Sequence, residues 1–359
     1  MNALLNAASN GAIEDLHQCL ESNVDLEAKD DINMTALMLA SKYGHTECVE
    51  LLIGANADIL TKDSFGYTAL MLSVLGNHVA CAQLLVDANA DLEAKDEDSY
   101  TALMLAALNN RTASAKLLVD AKADLEAKDK VGSTALMQAI RRDHIDSMQL
   151  LLDANADIET RNDDNSTPLI FAVRKEHIKC VQLLAAARAD LEAQDNDGAT
   201  ALMLAVRQDL AECAQLLIDA NASLTTTDND NYTVLMLAAC EGRAECVELL
   251  VDANADLEAK NNDGVTALML AISESNTECA QLLIDAKADV NAKDNDDCTA
   301  LMMAAQDECV QLLLEAKASV EANANEEAVS HQVGESDLVP ESVTANRKRS
   351  REDDGVLDE

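Results

Sequence analysis

Glu245-Cys246-Val247-Glu248-Leu249-Leu250-Val251-Asp252-Ala253, followed by Thr266-Ala267-Leu268-Met269-Leu270-Ala271, is one statement of a phrase that runs through most of the chain. Its threonines stand at Thr35, Thr68, Thr101, Thr134, Thr167, Thr200, Thr233, Thr266 and Thr299, each 33 residues after the last. A period of this size predicts a stacked array, because one such unit cannot bury its apolar face alone. Asn2-Ala3-Leu4-Leu5 falls at the same spacing before Thr35, as a degenerate first unit with Asn2 in the threonine slot. Ten units are therefore expected over residues 1–320 as one array, the first and last atypical because they cap it. Residues 321–359 lose the periodicity and are expected to be a disordered tail.

Within the Thr35 unit, Thr35 predicts an N-cap, and Leu37, Met38 and Ala40 follow at helical spacing. Gly44 predicts the stop, since glycine accepts the positive φ of a C′ position. Cys48, Val49, Leu51, Leu52 and Ile53 then lay out a second helix. A loop from Ala57 to Tyr67 leads to the next threonine. Gly242 repeats the stop, and Asn77 and Asn110 tolerate the same left-handed conformation. Asp143, Glu176, Asp209 and Ser275 are poorer choices, which predicts looser turns in those units. The last unit is three residues short, which predicts loss of the turn between its helices.

Asp63-Ser64-Phe65-Gly66-Tyr67-Thr68-Ala69-Leu70 and Asp195-Asn196-Asp197-Gly198-Ala199-Thr200-Ala201-Leu202 resemble the ankyrin-repeat pattern D-x-x-G-x-T-A-L. The resemblance covers about residues 2–320. It implies an all-α solenoid of helix–turn–helix units with short projecting β-hairpins or loops. It also implies non-catalytic binding of a protein partner on a concave face, as an adaptor, scaffold or inhibitor. The chain departs from the family where histidine is expected after the leucine. Met38, Met71, Met104, Met137, Met203, Met236, Met269 and Met302 fill that slot, and they read as packing residues. In the family that histidine ties one loop to the next, so the departure puts the loop contacts in question.

Composition narrows the function. A net charge of −40 argues against general binding to nucleic-acid backbones. It serves solubility and opposes end-to-end stacking, so a monomer is expected, or else it presents an acidic surface to a basic partner. Cys48, Cys81, Cys180, Cys213, Cys246 and Cys279 each lie 13 residues after their threonine, and Cys309 fills the same slot in the shortened unit. Ser114 and Ser147 take that place elsewhere. Equivalent points on packed helices are ~8–10 Å apart, beyond the ~7 Å limit for bridging Cα atoms. Buried thiols in a reducing compartment are the expectation. The N-terminus lacks the features of a signal peptide, and no apolar stretch approaches the ~18 residues of a membrane span. An intracellular protein, nuclear or cytoplasmic, is expected, without membrane association.

Catalytic and metal motifs are not evident. His45, His78, His144 and His177 recur ten residues after the threonine, as a turn feature. Calcium-loop numbering on Gly198 would put Ala193 and Leu204 where oxygen ligands belong. No enzymatic activity, cofactor or metal is expected. Two patterns point instead to binding. Phe65, Tyr67, Tyr100 and Tyr232 fall on loops, where aromatics can anchor a partner or cover a neighbouring loop. The positions seven and eight after the threonine read Arg141-Arg142, Arg174-Lys175 and Arg207-Gln208 in three consecutive units. Arg141, Arg142, Arg174, Lys175 and Arg207 therefore form a basic stripe. It either receives an acidic peptide segment, for which the planar guanidinium is suited, or neutralises Asp163, Asp164, Asp195 and Asp197.

In the tail, Arg347-Lys348-Arg349-Ser350-Arg351 fits the K-R-x-R pattern that resembles a nuclear-import signal. A nuclear regulator is one alternative. The recognition subunit of a larger enzyme such as a ubiquitin ligase is another, although no recruiting box is evident. A near-neutral product of repeat expansion is a third.

Overall fold

The computed structural model describes residues 2–22 and 24–317. Short helices alternate strictly along the chain. The first pairs are α1 (Ala3–Asn10) with α2 (Ile13–Glu21), α3 (Ala36–Tyr43) with α4 (Thr46–Gly54), and α5 (Ala69–Leu75) with α6 (Val79–Asp87). Next come α7 (Ala102–Leu108) with α8 (Thr112–Asp120), and α9 (Ala135–Arg141) with α10 (Ile145–Asp153). They continue as α11 (Pro168–Arg174) with α12 (Ile178–Ala186), and α13 (Ala201–Arg207) with α14 (Ala211–Asp219). The last full pairs are α15 (Val234–Cys240) with α16 (Ala244–Asp252), and α17 (Ala267–Ser273) with α18 (Thr277–Asp285). A single turn, α19 (Ala300–Met303), precedes a helical stretch at 307–317. First helices pack on first helices and second helices on second, giving two parallel layers over one continuous core.

The threonine and methionine columns act together at most first helices, though Thr134 and Thr299 make no side-chain cap. Thr35, Thr68, Thr101, Thr200, Thr233 and Thr266 accept the backbone N–H of the methionine three residues on, at 3.3–3.5 Å. Thr167 does the same for Ile170. Asn2 caps α1 in the same manner, accepting from Leu4 N–H. The methionines themselves are buried, as packing requires, and at Met38 and Met236 the sulfur also accepts the N–H of the capping threonine. Met302 departs from this, at 69% exposure. The three-residue deletion explains it. The connection at 304–306 survives, and the shortening falls on α19, which keeps one turn and cannot cover Met302.

The inter-helix turns are left-handed throughout. Gly44 and Gly242 have φ of 79° and 71°, yet Asn77, Asn110, Asp143, Glu176, Asp209 and Ser275 reach 51–62° at the equivalent place. The residue ten after the threonine stitches one copy to the one before it. His45, His78 and His144 send their Nε2 to backbone oxygens of Ser9, Lys42 and Leu108, 36 residues back, at 3.0–3.1 Å. Arg111 and Arg243 reach Leu75 O and Arg207 O at the same separation, and Asn276 reaches Cys240 O. A Cβ on Gly44 would lie 2.4 Å from His78 Nδ1. In these six copies the turn residue thus binds its second helix to the C-terminal end of the preceding copy's first helix, where carbonyls lack helical partners.

The loops are held by polar ladders that replace the contact the family histidine would make. Lys62, Lys95, Lys128 and Lys260 each donate Nζ to the backbone oxygen 33 residues on, at 2.7–2.8 Å. Glu27, Glu93, Glu126, Glu159, Glu192 and Glu258 each accept the backbone N–H 31 residues on. Inside a loop, the Oδ1 of Asp63 takes the N–H groups of Phe65 and Tyr67, and Asp96, Asp129, Asp195, Asp228 and Asp294 repeat this turn. Among the described residues the loops form only two isolated bridges, Thr227 with Thr233 and Lys293 with Thr299, on either side of the Asp228 and Asp294 turns.

Every cysteine among the described residues is a free thiol, and the column from Cys48 to Cys309 is buried. No helix among them is long and apolar enough to cross a membrane.

Candidate functional site

The C-terminal ends of the first helices and the bases of the loops share one face. Two contacts establish this. Arg141, the last residue of α9, donates Nη1 to Tyr100 Oη at 3.3 Å, and Arg174, the last of α11, donates Nη2 to Asp195 Oδ2 at 2.6 Å. The basic stripe therefore lies along a helix–loop seam.

Its members have different surroundings. Arg174 is one-third exposed and its partner Asp195 has a side chain wholly out of solvent. Asp195 Oδ1 is engaged by the N–H groups of Asp197 and Ala199, so the guanidinium completes a fully bonded buried carboxylate. Arg207 contacts Glu241 at 3.6 Å, and Glu241 is shared with Arg243 at 3.5 Å. Arg141 is taken by Tyr100. Arg142 and Lys175, one position further round, are exposed and make no ion pair among the described residues. Arg174 fits the neutralising reading, while Arg142 and Lys175 are available to a ligand.

Two residues that motif reading passes over organise this region. At the fourth position after the threonine the copies read Leu39, Leu72, Leu105, Gln138, Phe171, Leu204, Leu237 and Leu270. Between the Thr35 and Thr266 copies the column breaks only in the two that also carry the cation pairs. Phe171 is 8% exposed, with Arg141 5.9 Å and Lys175 5.5 Å from its ring centroid. Both cations gain from the negative face of the ring. Gln138 is fully buried and donates Nε2 to Asp129 Oδ2 at 2.7 Å. A break in an otherwise uniform column was the available signal.

The aromatics separate in the same way. Phe65 projects from its loop at 52% exposure. Tyr67, Tyr100 and Tyr232 are half-buried against the core, because Asp63, Asp96 and Asp228 fold the loop back by accepting their backbone N–H groups. Burial, then Asp96 and Asp63, pushes the Tyr67 phenol above its ordinary range. Arg347, Lys348, Arg349 and Arg351 lie outside the described residues.

The buried thiols are poor nucleophiles. Desolvation, with Asp143 accepting from the Sγ at 3.4 Å, pushes Cys180 up to about 12. Desolvation pushes Cys213, Cys246 and Cys279 up to about 11. No group of three or more His, Cys, Asp or Glu side chains among the described residues could hold a metal ion.

A family model described as ankyrin repeats (3 copies) matches residues 4–96, 89–162, 146–228, 169–261 and 235–326. No curated protein matches the chain.

Proposed function

Because the chain belongs to the ankyrin-repeat family, whose members are protein–protein interaction modules, we propose that it receives an acidic segment of a partner protein on the helix–loop seam. In this role it acts as an adaptor, scaffold or inhibitor and performs no chemistry of its own. The supporting observation is the exposure of Arg142 and Lys175, without carboxylate partners among the described residues, on a chain of net charge −40. Solubility alone gives no reason to gather cations in consecutive copies. Arg141 and Arg207 flank the pair, and Tyr100 and Phe171 hold Arg141 in place.

Affinity capture with the full chain, wild type against Arg142→Glu with Lys175→Glu, tests this. Arg174 is left intact because its loss would uncover Asp195. The double reversal is expected to weaken capture of acidic partners at least tenfold, about 1.4 kcal/mol, with an unchanged helical circular dichroism spectrum. Equal capture by both proteins would overturn the proposal.

The K-R-x-R run supports a nuclear site of action. Residues 340–359 fused to a fluorescent reporter are expected to concentrate it in the nucleus, and a reporter that stays outside would count against this.

A further inference from the structure

Exposed side chains along the seam differ from copy to copy, in a chain whose copies are otherwise near repeats. The early copies expose apolar groups. Tyr43, at the end of α3, is 49% exposed, and Ile32 and Phe65, at successive loop tips, are 38% and 52% exposed. The Ser64 N–H donates to Ile32 O at 2.9 Å and the Glu97 N–H to Phe65 O at 3.1 Å, so neighbouring tips lie side by side. Ile32, Tyr43 and Phe65 stand outside the packed core, as does Val131, 49% exposed at the tip before Thr134, while the other copies hold exposed Asp98, Asp164, Asp197, Asp230, Asp263 and Asp296 at the tip position. Packing therefore does not demand apolar residues there. The middle copies present Arg142 and Lys175. From the Thr233 copy onward the same helix positions hold the exposed acids Glu241 and Glu274.

We propose that the partner segment is bipartite: an apolar block seated on Tyr43, Ile32 and Phe65, and an acidic block seated on Arg142 and Lys175. This rests on the protein-binding reading above and specifies its ligand. Glu274, which makes no ion pair among the described residues, repels the acidic block beyond the middle copies and so limits its register, the repulsive element on which specificity depends. Tyr43 and Arg142 are separated by three copies. Packed helices stand ~8–10 Å apart, so the blocks are centred about 25–30 Å apart, or roughly eight extended residues at ~3.3 Å each. A second copy of the chain is a poor occupant, since each copy brings a charge of −40 to the contact.

A displayed library of random 20-residue peptides, selected on the full chain, gives the test. Selection on wild type is expected to enrich peptides with an aliphatic or aromatic cluster about eight residues from an Asp/Glu cluster, at least fivefold over the unselected library. On Tyr43→Ser with Phe65→Ser, the apolar cluster is expected to vanish from the winners while the acidic one stays. On Arg142→Glu with Lys175→Glu the reverse is expected. Acidic peptides without an apolar cluster on wild type would overturn the bipartite ligand and leave the acidic-segment reading standing. Winners without an acidic cluster would overturn both. Circular dichroism of each variant, all altered side chains being exposed, confirms that the fold is kept.

Discussion

Between pH 9 and about 11 the chain is expected to lose helix. The cause is the buried cysteine column. In the unfolded chain a thiol ionises near 9.0, whereas burial raises Cys213, Cys246 and Cys279 to about 11 and Cys180 to about 12. The native state therefore holds protons that the unfolded state releases, and stability falls as pH rises. It is complete below pH 9 and declines as pH rises towards 11–12. A two-unit difference corresponds to about 2.7 kcal/mol for one cysteine. Because each copy contacts only its neighbours, the four penalties act on adjacent local openings, and the transition should be broad. Ellipticity at 222 nm, followed against pH, measures it. Replacing Cys180, Cys213, Cys246 and Cys279 by Ala removes the ionising groups and is expected to move the loss upward by at least half a pH unit. Identical profiles for the two proteins would show that lysines and tyrosines, not thiols, govern the alkaline limit.

Asp195→Ala is expected to cost about 3 kcal/mol, in the range for breaking a buried pair. Two stitches present elsewhere are missing between the Thr167 and Thr200 copies. Leu210 replaces the polar turn residue, and the backbone bond between loop tips, such as Asp163 N–H to Val131 O, has no counterpart from Asn196. The bond from Arg174 to Asp195 crosses this junction in their place. Its loss also strands the Asp197 and Ala199 N–H groups. Asp195→Asn is expected to stay within about 1 kcal/mol, because Asn162 and Asn261 already serve the same turn. Lys130→Ala, which breaks a pair exposed at both ends with Asp98, is expected to change stability by less than about 0.5 kcal/mol. Native-state hydrogen exchange at the Ala199 N–H reads the junction directly. An Asp195→Ala variant no more labile than Lys130→Ala would refute this role.

Much of the architecture was legible because its causes are local. Threonine caps, turn glycines and apolar spacing each act within one helix length, and ninefold repetition of the threonine made them plain. The turns at Asp143, Glu176, Asp209 and Ser275 show the limit of such local reading. These side chains disfavour a positive φ, yet flanking bonds such as His144 N–H to Ala139 O hold the backbone there. The recurrence of His45, His78 and His144 was visible, but the acceptor 36 residues away was not. The shortened last copy could lose either its connection or its helix, and only packing decided for the helix. At the seam, the stripe of cations was evident from their spacing. Which of them was already bonded depended on Asp195 and Tyr100 approaching from neighbouring copies.

The clasp between Arg174 and Asp195 has a mechanical meaning. Side-chain bonds between copies join neighbours, so tension applied at the two ends passes through each junction in series. Each junction yields when its own fasteners do, and the one that Arg174 and Asp195 close lies beside the exposed cations. A ligand that bridges Arg142 and Lys175 onto Arg207 would splint that junction, so occupancy of the seam and resistance to stretching would rise together.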